Sequence, residues 1–291
     1  MNRPLSTARS IPSRLRRGAV GFEDSFNSHV RRYPGANVNA YDYQASAFAN
    51  GGKDLRNPEV IAHRGIRDRY PENSLPAFEA ALDAGADGVE LDVHATRDGA
   101  VVVHHDPLLP PALDSPIAGR AIASISLAEL DSFELAPGVA LPTLQEVLQA
   151  IGARAAVYIE IKARDIEARV AAVISSVPAA AARCAVHSFD HRIIKRFASL
   201  APDVPAGILQ VGYPVDPSYL LEAADARDLW QSCEFIDEAL ITTIHSRGSR
   251  VIAWTSDDPA QWAHFRGIGV DGICTDRSAA CASWLREIDE S

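Results

Sequence analysis

The pattern of apolar and polar positions changes at Pro58. Before it, residues 1–57 are polar, with Asn, Ser, Tyr and Gly scattered and no lasting period. So low an apolar density does not offset the entropy of ordering, and a mobile or loosely draped N-terminal extension is expected there. Beyond it, to about residue 286, short β-branched or apolar runs alternate with stretches of helical period. The runs predict strands over 60–62, 88–93, 100–104, 156–161, 184–188, 204–209, 250–254 and 269–274, with a further run at 228–231 competing for a place. The helical patterns lie at 73–84, 127–131, 143–151, 166–176, 191–200, 217–226, 237–247 and 259–267. Capping residues agree: Asn73 opens and Gly85 closes the first helix, Thr143 and Glu146 form a capping box, and Gly248 follows a helix ending at Arg247.

Strand–helix alternation repeated about eight times between residues 58 and 288 predicts one parallel (β/α)8 TIM barrel behind the extension. An open doubly wound sheet is the competing architecture. It would carry a glycine-rich phosphate turn after its first strand, whereas here that strand runs straight into His63-Arg64-Gly65. The chain also lacks a Walker loop, a G-x-S-x-G elbow and an H-E-x-x-H pair, which removes the common nucleotide, serine-hydrolase and zinc-protease readings.

Composition narrows the class further. With 291 residues, 47% of them hydrophobic and 23% charged, the chain buries a large core without a disulfide or metal staple. No apolar run reaches the ~18 residues of a membrane helix. Five arginines and no acid fall within residues 1–20, so the remainder sets 23 basic against 38 acidic residues. A body that acidic is unsuited to nucleic acid or to an anionic membrane, but its carboxylate clusters suit a divalent cation. Cys184, Cys233, Cys274 and Cys281 form no C-x-x-C pair and read as reduced thiols. Residues 1–20 lack the apolar stretch of a secretory signal; their Arg- and Ser-rich composition is also that of organelle transit peptides, and a cytoplasmic location is expected. Nothing in the sequence sets an oligomeric state.

The chemistry gathers on strands. Period two puts Glu90, Asp92 and His94 on one face and Val89, Leu91 and Val93 on the other. Two carboxylates so placed repel one another and call for a cation or a proton between them; oxygen-only ligands suit Mg²⁺ or Ca²⁺. A solvated strand end is the plain alternative. Tyr158, Glu160 and Lys162 repeat the pattern: Glu160 would complete a three-carboxylate site and Lys162 would neutralise an anionic substrate, unless the two form a structural ion pair. His63 and the pair His104-His105 also end strands, where barrel enzymes keep their chemistry, and two imidazoles supply an acid and a base near neutral pH.

Together, His63-Arg64-Gly65, Pro71-Glu72-Asn73-Ser74, Glu90-Leu91-Asp92-Val93 and Val103-His104-His105-Asp106 resemble the glycerophosphodiester phosphodiesterases. Leu141-Pro142-Thr143-Leu144, Glu160-Ile161-Lys162, Ser188-Phe189, Trp254-Thr255 and the run 269–276 follow in that family's order. The resemblance spans about residues 58–277 and implies a (β/α)8 barrel that hydrolyses a small-molecule glycerophosphodiester to glycerol 3-phosphate and an alcohol. It implies His63 and His105 as the acid–base pair, with His105 favoured over His104 because it directly precedes Asp106. Glu90, Asp92 and Glu160 are implied as ligands of one divalent cation, Arg64 and Lys162 as phosphate holders, and Trp254 as a pocket wall. Many members carry Arg-Thr-Thr after the His-Asp motif, where this chain reads Pro107-Leu108-Leu109-Pro110-Pro111-Ala112-Leu113. That departure leaves the leaving alcohol open. Lysophospholipase D or sphingomyelinase D-like cleavage of a lipid headgroup, and an inactive phosphate-binding barrel, stand as alternatives.

Overall fold

The computed structural model describes residues 57–111, 115–152 and 154–290; the extension expected at 1–57 lies, apart from Asn57, outside them. In chain order the strands are β1 (Glu59–His63), β2 (Gly88–Ala95), β3 (Val101–Val103), β4 (Glu134–Ala136), β5 (Val139–Ala140), β6 (Ala156–Ile161), β7 (Cys184–Ser188), β8 (Ala206–Gln210), β9 (Asp228–Ser232), β10 (Arg250–Trp254) and β11 (Gly272–Thr275). Parallel pairing runs β1–β2–β6–β7–β8–β9–β10–β11, and β11 returns to β1. The (β/α)8 barrel is therefore closed, with no free edge among its eight staves.

Two strand assignments differ from the sequence expectation. Residues 101–103 form no stave: β3 turns back antiparallel on β2, pairing Val103 with Val93 and Val101 with Ala95. The turn between them is closed by Thr96 and Ala100, with Gly99 at φ 95°. A parallel neighbour needs a crossover of a dozen or more residues, so a connection this short permits only a hairpin. The vacated place goes to β9, whose weak run has only Leu229 and Trp230 as apolar residues between Asp228 and Gln231, all four buried.

A spacing of type G-x-G-x-x-G does occur, at 267–272, but it leads into a strand instead of out of one. Gly269, at φ 89°, ends the helix Pro259–Ile268, and a Cβ on Gly272 would press on Ile61 and Ile252. It is helix-stop and packing glycine, with no phosphate turn.

Period two sorts the core into two layers. Ile61, Tyr158, Trp230, Ile252 and Cys274 fill the barrel interior. Val89, Leu91, Val93, Ile159 and Val186 face the surrounding helices. A third cluster of Val102, Leu109, Ile122 and Phe133 supports the long excursion between β2 and β6. Among the described residues no helix is long and apolar enough to cross a membrane.

The end of the barrel where strands begin is closed by charge. Tyr158 Oη donates to Glu59 Oε2 at 2.6 Å, and Arg250 Nη2 lies 2.7 Å from the same oxygen. Arg227 grips Asp228 through two contacts of 2.6 Å. Burial alone would raise the Asp228 carboxyl, but the Arg227 and Arg250 charges outweigh it and hold it below the usual range. Asp228→Ala is expected to lose about 3 kcal/mol or more, because buried guanidinium charge is left unanswered; urea unfolding by circular dichroism measures the loss.

Candidate active site

Parallel register brings the candidate residues together at the opposite end. His63 lies beside Glu90 across β1–β2, Asp92 beside Glu160 across β2–β6, and Glu160 beside His187 across β6–β7. Seven of the eight sequence-predicted site residues, His63, Arg64, Glu90, His105, Glu160, Lys162 and Trp254, line one cavity of about 240 Å³. The eighth, Asp92, lies fully buried beside it.

The motif His63-Arg64-Gly65 folds as it does for a steric reason. Arg64 takes φ 58° and Gly65 φ 82°, and a Cβ on Gly65 would sit 2.6 Å from the carbonyl carbon of Ala77. Only glycine lets the helix Leu75–Asp83 approach the strand end this closely. That helix is capped by Ser74, whose Oγ accepts from Ala77 N, and not by Asn73. Asn73 instead turns inward at φ 58°, donating from Nδ2 to Asp92 Oδ2 at 2.9 Å and accepting from the Asp92 amide at 3.3 Å.

Asp92 gathers the cations. Arg64 Nε lies 3.0 Å from its Oδ2 and Lys162 Nζ 3.6 Å from its Oδ1. Burial works against its charge, yet Arg64, Lys162 and the Asn73 hydrogen bond hold it below the ordinary carboxylate range. Glu160 goes the other way. Burial and then the Asp92 charge push it up to about 8, although Lys162 Nζ stands 3.2 Å from its Oε1.

The acids suit a metal ion. Ligand atoms of Glu90, Glu160 and His187 all lie within 4.8 Å of one another. Glu90 Oε2 and Asp92 Oδ1 are buried without a hydrogen-bond partner among the described residues. Buried polar atoms are rarely left unpaired, so an oxygen-rich cluster with two such atoms fits a hard divalent cation. Asp92 stands outside the 4.8 Å cluster because its oxygens face Arg64, Asn73 and Lys162. His187, which sequence reasoning missed, takes the third place, stacked on Trp230 at 4.1 Å between ring centroids. The signal for it was available: His187 lies two residues from inward-facing Ala185 on a stave.

The two histidines are held alike. His63 Nδ1 donates to Asp276 Oδ1 at 2.7 Å, and its Nε2 lies 3.9 Å from Glu90 Oε2. Burial opposes charging of this ring, but Asp276 and Glu90 prevail and raise it above the ordinary value. His105 Nδ1 donates to Asp106 Oδ1 at 2.7 Å, while His94 Nε2 donates to the His105 carbonyl at 3.0 Å. His104 does not line the cavity. Phe189 meets Trp254 edge to face at 5.3 Å, forming an aromatic wall. Cys274 also borders the cavity, but burial drives its thiol well above the ordinary value, which makes it a poor nucleophile.

Comparison with known proteins agrees with this arrangement. Residues 63–280 match the profile of the glycerophosphoryl diester phosphodiesterase family. The chain belongs to that family. Among glycerophosphodiester phosphodiesterases, the protein of Caldanaerobacter subterraneus subsp. tengcongensis is 31% identical over 238 residues, covering 78% of this chain and 98% of the relative. That of Bacillus altitudinis is 29% identical over 231 residues, covering 75% and 94%. The Oleispira antarctica phosphodiesterase, solved in complex with the product sn-glycerol-3-phosphate, superposes with a TM-score of 0.69 at 25% identity, covering 79% of this chain and 97% of that one. The family membership expected from the short motifs is thus established over most of the barrel.

The Glu160 environment has a measurable consequence. An ordinary glutamate titrates near ~4.3, so folding takes up a proton between there and about 8. In chelator, Glu160 should therefore make the protein progressively less stable as pH rises through that window. Glu160→Gln is expected to flatten the fall, read as melting temperature at pH 6 and pH 8.

Proposed function

We propose that the protein is a metal-dependent phosphodiester hydrolase that cleaves a glycerophosphodiester to glycerol 3-phosphate and an alcohol. The observation carrying this reading is the convergence on one cavity of two carboxylate-held imidazoles, two cationic side chains and an acidic cluster with unpaired oxygens. Family membership supports it, as does the product bound by the Oleispira antarctica relative.

Arg64 and Lys162 receive the phosphate, since both line the cavity and carry donors suited to its free oxygens. Glu90 and Glu160, with Asp92 Oδ1 and His187 at their side, are the residues that would hold one divalent cation, Mg²⁺ or Ca²⁺ by its oxygen donors. Such an ion supplies Lewis-acid stabilisation of negative charge on the phosphoryl oxygens. One histidine of the pair His63 and His105 takes the proton of the substrate's neighbouring hydroxyl, which attacks phosphorus. The other protonates the departing alcohol. Water then opens the cyclic phosphate with the roles reversed. Direct attack by water would use the same two rings. Trp254 and Phe189 pack against the carbon skeleton of the substrate.

A lipid headgroup is the second reading. Phe189 reaches from the cavity wall to the surface, and Val211 and Tyr213 stand exposed in the loop after β8. Exposed apolar residues beside a site favour an amphiphile over a fully water-soluble diester.

Purified protein should release alcohol from glycerophosphocholine, and faster than from micellar lysophosphatidylcholine; the reverse ratio favours the second reading. Chelator should abolish turnover and Mg²⁺ or Ca²⁺ should restore it. Retained activity in chelator counts against the cation. His105→Ala is expected to lower kcat at least ~10²-fold, and near-full activity would reject its acid–base role.

A further inference from the structure

We infer that Asp276 is a positioning residue that sets the tautomer of His63, fixing the proton on Nδ1 so that Nε2 is the nitrogen offered to the substrate. The inference rests on the acid–base role proposed for His63. A neutral imidazole has one donor and one acceptor nitrogen, and the partner of one decides the state of the other. A carboxylate accepts only, so the 2.7 Å contact from His63 Nδ1 to Asp276 Oδ1 requires the hydrogen on Nδ1.

What separates Asp276 from the similar partner of His105 is how firmly it is held. The Asp276 amide and Thr275 Oγ1 both donate to Asp257 Oδ1 at 2.8 Å. Arg277 Nη1 donates to the Asp257 carbonyl at 3.1 Å, closing the turn after β11. Arg67 Nη1 lies 3.3 Å from Asp276 Oδ1, the same oxygen that takes the imidazole. Arg67 also reaches Glu72, which in turn pairs with Arg64 at 3.0 Å, so the carboxylate behind the imidazole is tied to a phosphate-holding side chain. The Asp276 side chain is 24% exposed, whereas that of Asp106 is 69% exposed and sits on the residue next to its histidine. The anchored carboxylate orients its ring; the exposed one contributes less.

Asp276→Asn is expected to lower kcat at least ~10-fold with KM within about twofold, since removing the carboxylate that orients a working imidazole costs about 10-fold or more. Asp106→Asn is expected to cost less. The direct readout is the long-range proton–nitrogen correlation spectrum of the histidine rings, taken where they are neutral and assigned by the signals lost in His63→Ala. Wild-type His63 should carry its hydrogen on Nδ1, and Asp276→Asn should populate the Nε2–H form. A wild-type ring bare at Nδ1 overturns the inference even if Asp276→Asn fails to fold. It is overturned equally by a variant that keeps its kcat, or by one that loses kcat with the ring tautomer unchanged. Full activity in His63→Ala removes the acid–base reading and this inference with it; a tautomer fixed by Asp276 alongside an inactive His63→Ala sustains both.

Discussion

Three acids buried within one barrel mouth repel each other, and the surroundings are arranged to answer that repulsion. Asp92 is wholly enclosed and stays ionised because Arg64, Lys162 and Asn73 converge on it. Glu160, one strand over, has among the described residues only Lys162 as a close cation and is pushed up to about 8. Adjacent carboxylates driven to opposite protonation behaviour by their partners are a recurrent sign of a working site. Oxygens of Glu90 and Asp92 are also buried without a hydrogen-bond partner among the described residues, where a hard cation would satisfy them.

The fold delivers this arrangement through strand register. Parallel staves in a closed barrel place one inward side chain next to another at nearly the same height, so His63, Glu90, Asp92, Glu160 and His187 meet without any long-range loop. The basic groups arrive differently. Arg64 lies in the turn just beyond β1 and Lys162 immediately beyond β6, so each enters the mouth from a strand end. His105 comes from the excursion after β3, which packs over a hydrophobic cluster of its own. Leu109 is buried in that cluster and Leu108 bridges to Ala121, within the stretch where this chain departs from the Arg-Thr-Thr of many family members. The excursion can thus vary in sequence at residues 107–113 while Glu90, Asp92, Glu160 and His63 stay where the staves hold them and His105 keeps its place ahead of that stretch.

The alternation of apolar runs and helical periods was enough to reveal a barrel, and period two put Glu90 and Asp92 on one face of their strand and Glu160 with Lys162 on one face of theirs. The short motifs carried the family, because residues whose chemistry is needed at strand ends recur there in fixed order. Local signals misled in two places. The residues 101–103 look like a stave since three valines suit any strand, and the hairpin is decided by the brevity of the turn before them. The weak run of β9 becomes a stave by pairing in parallel with β8 on one side and β10 on the other, with Asp228 neutralised by arginines at 227 and 250.

Asn73 shows the same division. In sequence it reads as a helix cap; in the folded molecule the adjacent Ser74 takes that task and Asn73 turns to hold Asp92, a partner 19 residues away. His187 lies in no quoted motif and Asp276 only ends the run 269–276 with no role assigned to it, as each gains its meaning from side chains on other strands, the latter from a ring 213 residues distant. The sequence by itself determined the alternation, the facing of each strand residue and the chemical inventory, because these depend on local backbone geometry and side-chain type. Only the tertiary structure decided which strand stands beside which, which carboxylate is pushed up and which held down, and which carboxylate each imidazole meets, because those follow from distances that closure of the barrel sets.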